Sequence, residues 1–234
     1  MNGFLYLIPT TLGDSSISSV IPADVGILLK QIKHFIVEDI RTARRYLKKV
    51  DRSIDIDELT FYELNKRTTP QQKSSFLNAA KKGHHIGVIS EAGCPGVADP
   101  GADIVAAAHQ QNMKVVPLVG PSSILLSLMA SGMNGQSFAF HGYIPIKSEE
   151  RAKAIKHLEG LSIREKQTQI FIEAPYRNNH LLKDILSNCN TKTRVCVACD
   201  ITLETEFIKT KTVAQWKGKL PELHKKPTIF LIQG

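Results

Sequence analysis

The chain has 234 residues, 42% of them apolar, enough to build a real core as one large domain or two small ones. Thirty Lys and Arg against 22 Asp and Glu give a net charge of +8, and a pI near 9.3 suits a polyanionic partner such as RNA. The start, Met1–Pro9, has neither the basic region nor the apolar length of a signal peptide, and the longest uncharged stretch, 115–146, is broken by Pro117, Gly120, Pro121, Gly132, Gly135 and Pro145, which excludes a transmembrane helix.

The first predicted strand, 4–8, ends in Pro9-Thr10-Thr11-Leu12-Gly13-Asp14, with Ser15 and Ser16 placed as helix caps. This loop is neither a P-loop nor a G-x-G-x-x-G turn, so nucleoside triphosphate or NAD binding has no specific support. A second strand, 34–37, runs into Glu38-Asp39-Ile40-Arg41 and then an amphipathic helix. Ile40, Ala43, Leu47 and Val50 share one face of that helix, and Arg41, Arg44, Arg45 and Lys48 the other. The basic face reads as a phosphate contact or as a solvated surface.

A third strand spans 59–62. The fourth, Ile86–Ile89, is a short apolar run of the kind buried on both faces of a parallel sheet, and a helical pattern, Ala102–Ala108, follows it. Between them lie twelve residues, Ser90–Gly101, with three glycines, two prolines and two carboxylates. A plain strand-to-helix turn needs about two to six residues. Glycine lets backbone approach a ligand and proline fixes φ, so the segment reads as a rigid ligand loop, with a long structural loop as the alternative. A fifth strand, 114–119, ends in Gly120-Pro121-Ser122-Ser123. Strands alternating with helices imply βαβ units and a parallel sheet, and several polar loops then converge on one edge of it as a binding cleft.

The second half changes pattern. Helices are predicted at 122–130, 148–158 and 178–187, and strands at 137–143, 169–173, 194–199, 204–209 and 228–233. Consecutive strands near residue 200 and a strand at the very end imply a mixed sheet. The domain boundary is placed at 117–121, giving an N-terminal α/β domain over 1–117 and a C-terminal α/β domain over 122–234. Residues 118–234 carry 16 basic and 10 acidic residues against 14 and 12 in 1–117, so the positive excess leans to the second half. Cys196 and Cys199 fall three apart in a strand and point to opposite faces, poor geometry for a metal or a redox pair. With Cys94 and Cys189 they read as reduced thiols of a cytoplasmic protein, and no metal site is expected.

Five segments together resemble a known family: Leu5-Tyr6-Leu7-Ile8-Pro9-Thr10; Glu38-Asp39-x-Arg41; Ser90-Glu91-Ala92-Gly93-Cys94-Pro95 with Asp99-Pro100-Gly101; 116–123; and 140–147. They look like the ordered motifs of the small-subunit rRNA (cytidine-2′-O) methyltransferases of the tetrapyrrole methylase superfamily. Phe171-Ile172-Glu173-Ala174-Pro175-Tyr176-Arg177 extends the resemblance over nearly the whole chain. It implies a two-domain tetrapyrrole-methylase-like α/β fold, S-adenosylmethionine in a cleft between the domains, an rRNA substrate and a homodimer. Carried onto this sequence, the cofactor contacts would be Leu12, Gly93, Cys94, Val97, Ser122, Ser123, and Glu173 or Ala174, mostly through backbone atoms.

The chain departs from the family pattern. Pro-Thr-Pro-Ile-Gly-Asn is here Pro9-Thr10-Thr11-Leu12-Gly13-Asp14, and Ser-Asp-Ala-Gly-Thr-Pro here carries Glu91 and Cys94. A His-rich segment is replaced by Tyr62-Glu63-Leu64-Asn65-Lys66. An Arg-Glu-x-Thr-Lys motif is replaced by Cys199-Asp200-Ile201-Thr202-Leu203, and the C-terminal extension of many members is missing. For chemistry, a ribose hydroxyl needs a base, for which Glu38, Asp39, Glu91 and Asp99 are candidates, with Arg41 and Lys147 placed to hold phosphate or substrate. The structural alternatives are an ion pair between Glu38 and Arg41 and a helix-capping role for Asp99. The leading reading is an S-adenosylmethionine-dependent methyltransferase of rRNA at a ribose 2′-hydroxyl. Its alternatives are a small-molecule, tetrapyrrole-type methylase and a non-catalytic cofactor- or RNA-binding module.

Overall fold

The computed structural model describes residues 2–216, 218 and 220–234. The chain divides into two compact units, Met1–Ser122 and Ser123–Gly234.

Unit 1 is built on strands β1 (Leu5–Ile8), β2 (His34–Val37), β3 (Thr60–Glu63), β4 (Ile86–Ile89) and β5 (Val115–Pro117), in the order β3-β2-β4-β1-β5. Every pairing in it is parallel, as the alternation of strand and helix patterns predicts. Its helices are α1 (Ile17–Val20), α2 (Ala23–Leu29), α3 (Ile40–Val50), α4 (Pro70–Ser75), α5 (Asn78–Lys81) and α6 (Gly101–Gln110). Alternate strand residues face two separate cores. Phe35, Val37 and Ile89 pack with Ala43 and Leu47 of α3, whereas Ile36, Ile86 and Val88 pack with Ile104 and Ala108 of α6. That two-sided burial explains why these strands read as unbroken apolar runs. Gly87 is the exception in β4 for steric reasons, since a Cβ there would lie 2.4 Å from Ile8 Cδ1 and 3.0 Å from the Phe35 ring. Because β4 lies between β2 and β1, the loops leaving β1, β2 and β4 emerge side by side at the carboxyl edge.

Unit 2 contains β6 (Phe138–Tyr143), β7 (Thr168–Ile172), β8 (Arg194–Cys199), β9 (Phe207–Thr212) and β10 (Thr228–Gln233), in the order β6-β7-β10-β8-β9. β6 runs parallel to β7 and the other pairs are antiparallel, so this sheet is mixed, as expected. Its helices are α7 (Ser123–Ser131), α8 (Ser148–Glu165) and α9 (Asn178–Asn188). Val195, Val197 and Cys199 join Phe171, Phe230 and Trp216 in one core, while buried Cys196 lies outside that cluster, in keeping with opposite faces for the two thiols. All four cysteines are free.

Two boundaries move by more than two residues. α8 runs to Glu165 rather than ending at 158, because Gly160 sits in open space and buried Ile155, Leu158 and Ser162 continue its inner stripe. β9 starts at Phe207, not 204, because residues 200–206 form a turn. There the backbone N–H of Leu203 donates to Asp200, that of Glu206 donates to Leu203, and Asp200 and Thr202 adopt positive φ of 50° and 71°.

Candidate active site

Three loops at the carboxyl edge of the unit 1 sheet interlock through backbone. After β1, the Thr10 N–H donates to Gly93 O (2.9 Å) in the loop after β4, and the Thr10 hydroxyl donates to Ser90 O at 3.3 Å. Ser90 Oγ closes the same loop on itself by donating to Gly93 O at 3.1 Å. After β5, the Pro121 and Gly120 carbonyls lie 3.4 and 3.8 Å from Cys94 Sγ. A Cβ on Gly120 would come within 2.2 Å of the Pro9 ring, and one on Gly93, whose φ is +72°, would meet Leu12 at 3.1 Å and Pro121 O at 3.2 Å. Glycine is therefore required at both positions. Gly93 supplies close packing, and its carbonyl is already engaged twice. Val97 is exposed, and Leu12, Cys94 and Ser122 are half-buried around the same loops.

The carboxylates are not equivalent. Asp99 accepts from the N–H of Gly96 (2.9 Å) and of Gly101 (2.7 Å), folding the loop and capping the start of α6. Burial raises its pKa despite these bonds. Asp39 is the N-cap of α3 and accepts from Thr42 N at 2.7 Å, which lowers its pKa. Arg41, on the exposed first turn, adds its charge to that lowering, and no Glu38–Arg41 ion pair forms among the described residues. Glu38 is half-buried. Its pKa is raised first by burial, then by the charge of Asp99, and its carboxylate accepts from the Glu91 backbone N–H. Glu91 is exposed, and its pKa is raised by burial of part of the group and by Asp39, while Thr42 hydrogen-bonds to it. The sheet thus brings Glu38, Glu91 and Asp99 together and assigns capping work to Asp39 and Asp99.

The basic residues divide similarly. Arg44 pairs with Asp57 (3.3 Å), Lys48 donates to Arg52 O (3.1 Å), and Lys147, in unit 2, pairs with Glu150 at 3.5 Å. Ser90, the first residue of the quoted loop motif, also lines the carboxyl edge, as do Thr42, Tyr46 and Lys49, which motif reading missed because each looks like an ordinary helix residue.

In unit 2, Glu173 is buried at the end of β7. Burial opposes its ionisation, but the Arg177 guanidinium, 2.5 Å from Oε1, outweighs this and holds the carboxyl below its usual range. The Ala174 N–H donates to the same oxygen at 2.7 Å, and its carbonyl accepts from the Arg177 N–H. Among the described residues Glu173 Oε2 is buried without a hydrogen-bond partner, a free acceptor at the end of β7. Ser123 is the first residue of α7. Among the described residues no group of His, Cys, Asp and Glu could hold a metal ion, and no helix is long and apolar enough to cross a membrane.

No protein-family model matches the chain. Curated relatives do: it is 29% identical over 234 residues to the ribosomal RNA small subunit methyltransferase I of Buchnera aphidicola, covering 98% of this chain and 78% of that protein. The Pasteurella multocida protein of the same name is 29% identical over 237 residues, covering 100% and 80%. Among solved structures, the methyltransferase CobJ superposes with a TM-score of 0.64 at 16% identity, covering 99% of this chain and 94% of that one. The chain is thus similar over nearly its whole length to proteins named ribosomal RNA small subunit methyltransferase I, and it shares the fold of the methyltransferase CobJ. A further structure with this fold, uroporphyrin-III C-methyltransferase from Thermus thermophilus complexed with S-adenosylhomocysteine, superposes with a TM-score of 0.54 at 14% identity, covering 99% and 97%.

Proposed function

We propose that the chain is an S-adenosylmethionine-dependent methyltransferase of small-subunit rRNA, acting at a ribose 2′-hydroxyl. The observation that carries this reading is the bare, interlocked backbone of the loops after β1, β4 and β5, where a Cβ would strike neighbouring atoms, in a chain aligned end to end with rRNA methyltransferases. Such a framework fits an amino-acid and nucleoside cofactor, for which Leu12, Cys94, Val97 and Ser122 are the proposed contacts in unit 1, with Gly93 letting the loops pack against one another. Within unit 2, Ser123, Glu173 and Ala174 are proposed cofactor contacts, supported by a buried Glu173 Oε2 that has no hydrogen-bond partner among the described residues.

When bound, the cofactor supplies a methyl group on a sulfonium. Transfer to a ribose hydroxyl would form a C–O bond as the C–S bond breaks with its electron pair left on sulfur, so what the chain's own residues must supply is a base for the hydroxyl proton. Glu38 is the proposed base: it is fixed by the Glu91 N–H and has a pKa raised toward neutrality by burial and by Asp99. Glu91 is the second candidate, Asp39 holds the start of α3, and Arg41 supplies positive charge on that turn. Much of the acceleration comes from holding hydroxyl and methyl in line.

The same reading includes a homodimer in the cytoplasm. It is supported by exposed apolar side chains within unit 2, Leu125 and Met129 on α7 and Tyr143 on β6, which a second copy would cover. Calorimetry with S-adenosylmethionine and nucleoside mass spectrometry of rRNA from a deletion strain test the reading. Absence of cofactor binding removes it, and cofactor binding with an unchanged rRNA modification profile favours a small-molecule methylase.

A further inference from the structure

Unit 1 holds a cavity of about 160 Å³ walled by Thr10, Thr42, Arg45, Lys49, Ser90 and Glu91. Sites for whole small molecules run to about 300–1,000 Å³, so this one admits a fragment of a larger ligand. Its uncharged polar side chains other than Thr11 are already committed. Thr10 donates to Ser90 O, Ser90 to Gly93 O, Thr42 is bonded to Glu91, and the neighbouring Tyr46 hydroxyl donates to Pro9 O at 2.7 Å. With the Thr11 hydroxyl, side-chain charge is what remains to meet a ligand. α3 contributes two cations one turn apart. Lys49 Nζ is fixed by Asp14 Oδ1 (2.7 Å) and Ser15 O (2.9 Å), and Arg45 is exposed with no ion pair among the described residues. The loop after β4 contributes the exposed carboxylate of Glu91.

A cavity with two cations and a carboxylate suits neither an apolar group nor a lone anion. A sugar-phosphate unit matches it, because the phosphate takes the cations and a sugar hydroxyl donates to the carboxylate. We propose that this cavity is a backbone subsite for single-stranded RNA, in which Arg45 and Lys49 hold one phosphate and Glu91 accepts from the 2′-hydroxyl of the attached ribose. The subsite rests on the RNA reading above but not on methyl transfer. Its function is to separate RNA from DNA, since DNA offers Glu91 no hydroxyl and leaves only its repulsion of phosphate.

The test is fluorescence anisotropy of the full chain with a labelled single-stranded oligoribonucleotide and its deoxy counterpart, over a salt series. The wild-type chain binds RNA about tenfold more tightly than DNA, as loss of one charge-assisted hydrogen bond predicts. Arg45→Ala weakens both and lowers the salt slope by about 0.7, the single-strand value for one phosphate, and Arg45→Lys restores the slope. Glu91→Gln weakens RNA and tightens DNA, closing the preference to within about twofold. Circular dichroism and thermal midpoints confirm that each variant is folded. An unchanged slope in Arg45→Ala, an RNA preference that survives Glu91→Gln, or a wild-type chain that binds neither oligonucleotide overturns the subsite. Methyl transfer to rRNA is assayed in parallel. The expected binding pattern without methyl transfer upholds the subsite and removes the methyltransferase reading, whereas methyl transfer without that pattern does the reverse.

Discussion

The carboxylate of Glu38 accepts a hydrogen bond from the backbone N–H of Glu91, so the acid at the end of β2 is pinned to the glycine-rich loop at the end of β4. The strand order makes this possible, because β2 and β4 are hydrogen-bonded neighbours although about fifty residues separate them in sequence. Burial and the charges of Asp99 and Glu91 raise the Glu38 pKa above its ordinary 4.5, so the folded chain holds this proton more tightly than the unfolded chain. Stability from the group is therefore fully present below pH 4.5 and is lost as pH rises through the folded pKa.

Glu38→Gln keeps an acceptor for the Glu91 N–H and removes the charge. Thermal melts are expected to show a gain of a few tenths of a kcal/mol, about 0.3, at neutral pH after solvent screening, and no gain in acid. The same variant is expected to lose at least about 10²-fold in methyl transfer, the usual contribution of a general base. A variant that is both stabler and slower separates the chemical role from a structural one.

Gly93 and Gly120 are occupied by their surroundings rather than by ligand. Gly93→Ala forces a positive φ on a Cβ-bearing residue at a cost of about 1–2 kcal/mol, and Gly120→Ala overpacks against Pro9 at about 1–3 kcal/mol. Gly135→Ala, with nothing within 4 Å of the added carbon, is expected to change stability by less than about 0.5 kcal/mol. Urea titrations of the three variants check the ranking.

Asp99→Ala leaves the Gly96 and Gly101 N–H groups without their acceptor, and is expected to cost about 1–3 kcal/mol and to loosen the loop. Asp99→Asn retains an acceptor oxygen and is expected to recover most of that stability. If calorimetry finds unchanged S-adenosylmethionine affinity in a folded Asp99→Ala chain, the loop after β4 is not the cofactor floor.

In unit 2, Arg151 bridges Asp184 Oδ2 and Ile146 O, with its side chain only 11% exposed. Asp184→Ala strands that guanidinium, and a loss of about 3 kcal/mol is expected in denaturant titration.

Much of the fold was legible because strand burial is two-sided and therefore contiguous in sequence: Ile86–Ile89 and Arg194–Cys199 could be bounded to the residue. What escaped were elements without that signature. The short helices α4 and α5 carry few apolar residues, and the helix predicted over 148–158 runs on to Glu165 through Gly160, where a Cβ would meet nothing within 4 Å. At the site, glycine and proline spacing pointed to the loops, but spacing could not tell a carboxylate that caps from one that faces a ligand. Asp99 and Asp39 hold N–H groups of their own loop and helix start, while Glu38 meets the backbone of the loop after β4 and Glu91 stays exposed, and only the register between β2 and β4 makes this visible. Lys49 and Thr42 were missed for the same reason, since their importance comes from the loop packed beside α3.

The most direct test is incubation of the chain with methyl-labelled S-adenosylmethionine and small ribosomal subunits whose rRNA lacks the modification, followed by nucleoside mass spectrometry. A single labelled 2′-O-methylnucleoside is expected, formed at least about 10²-fold more slowly by Glu38→Gln. Cofactor binding with no label in the rRNA would contradict that expectation.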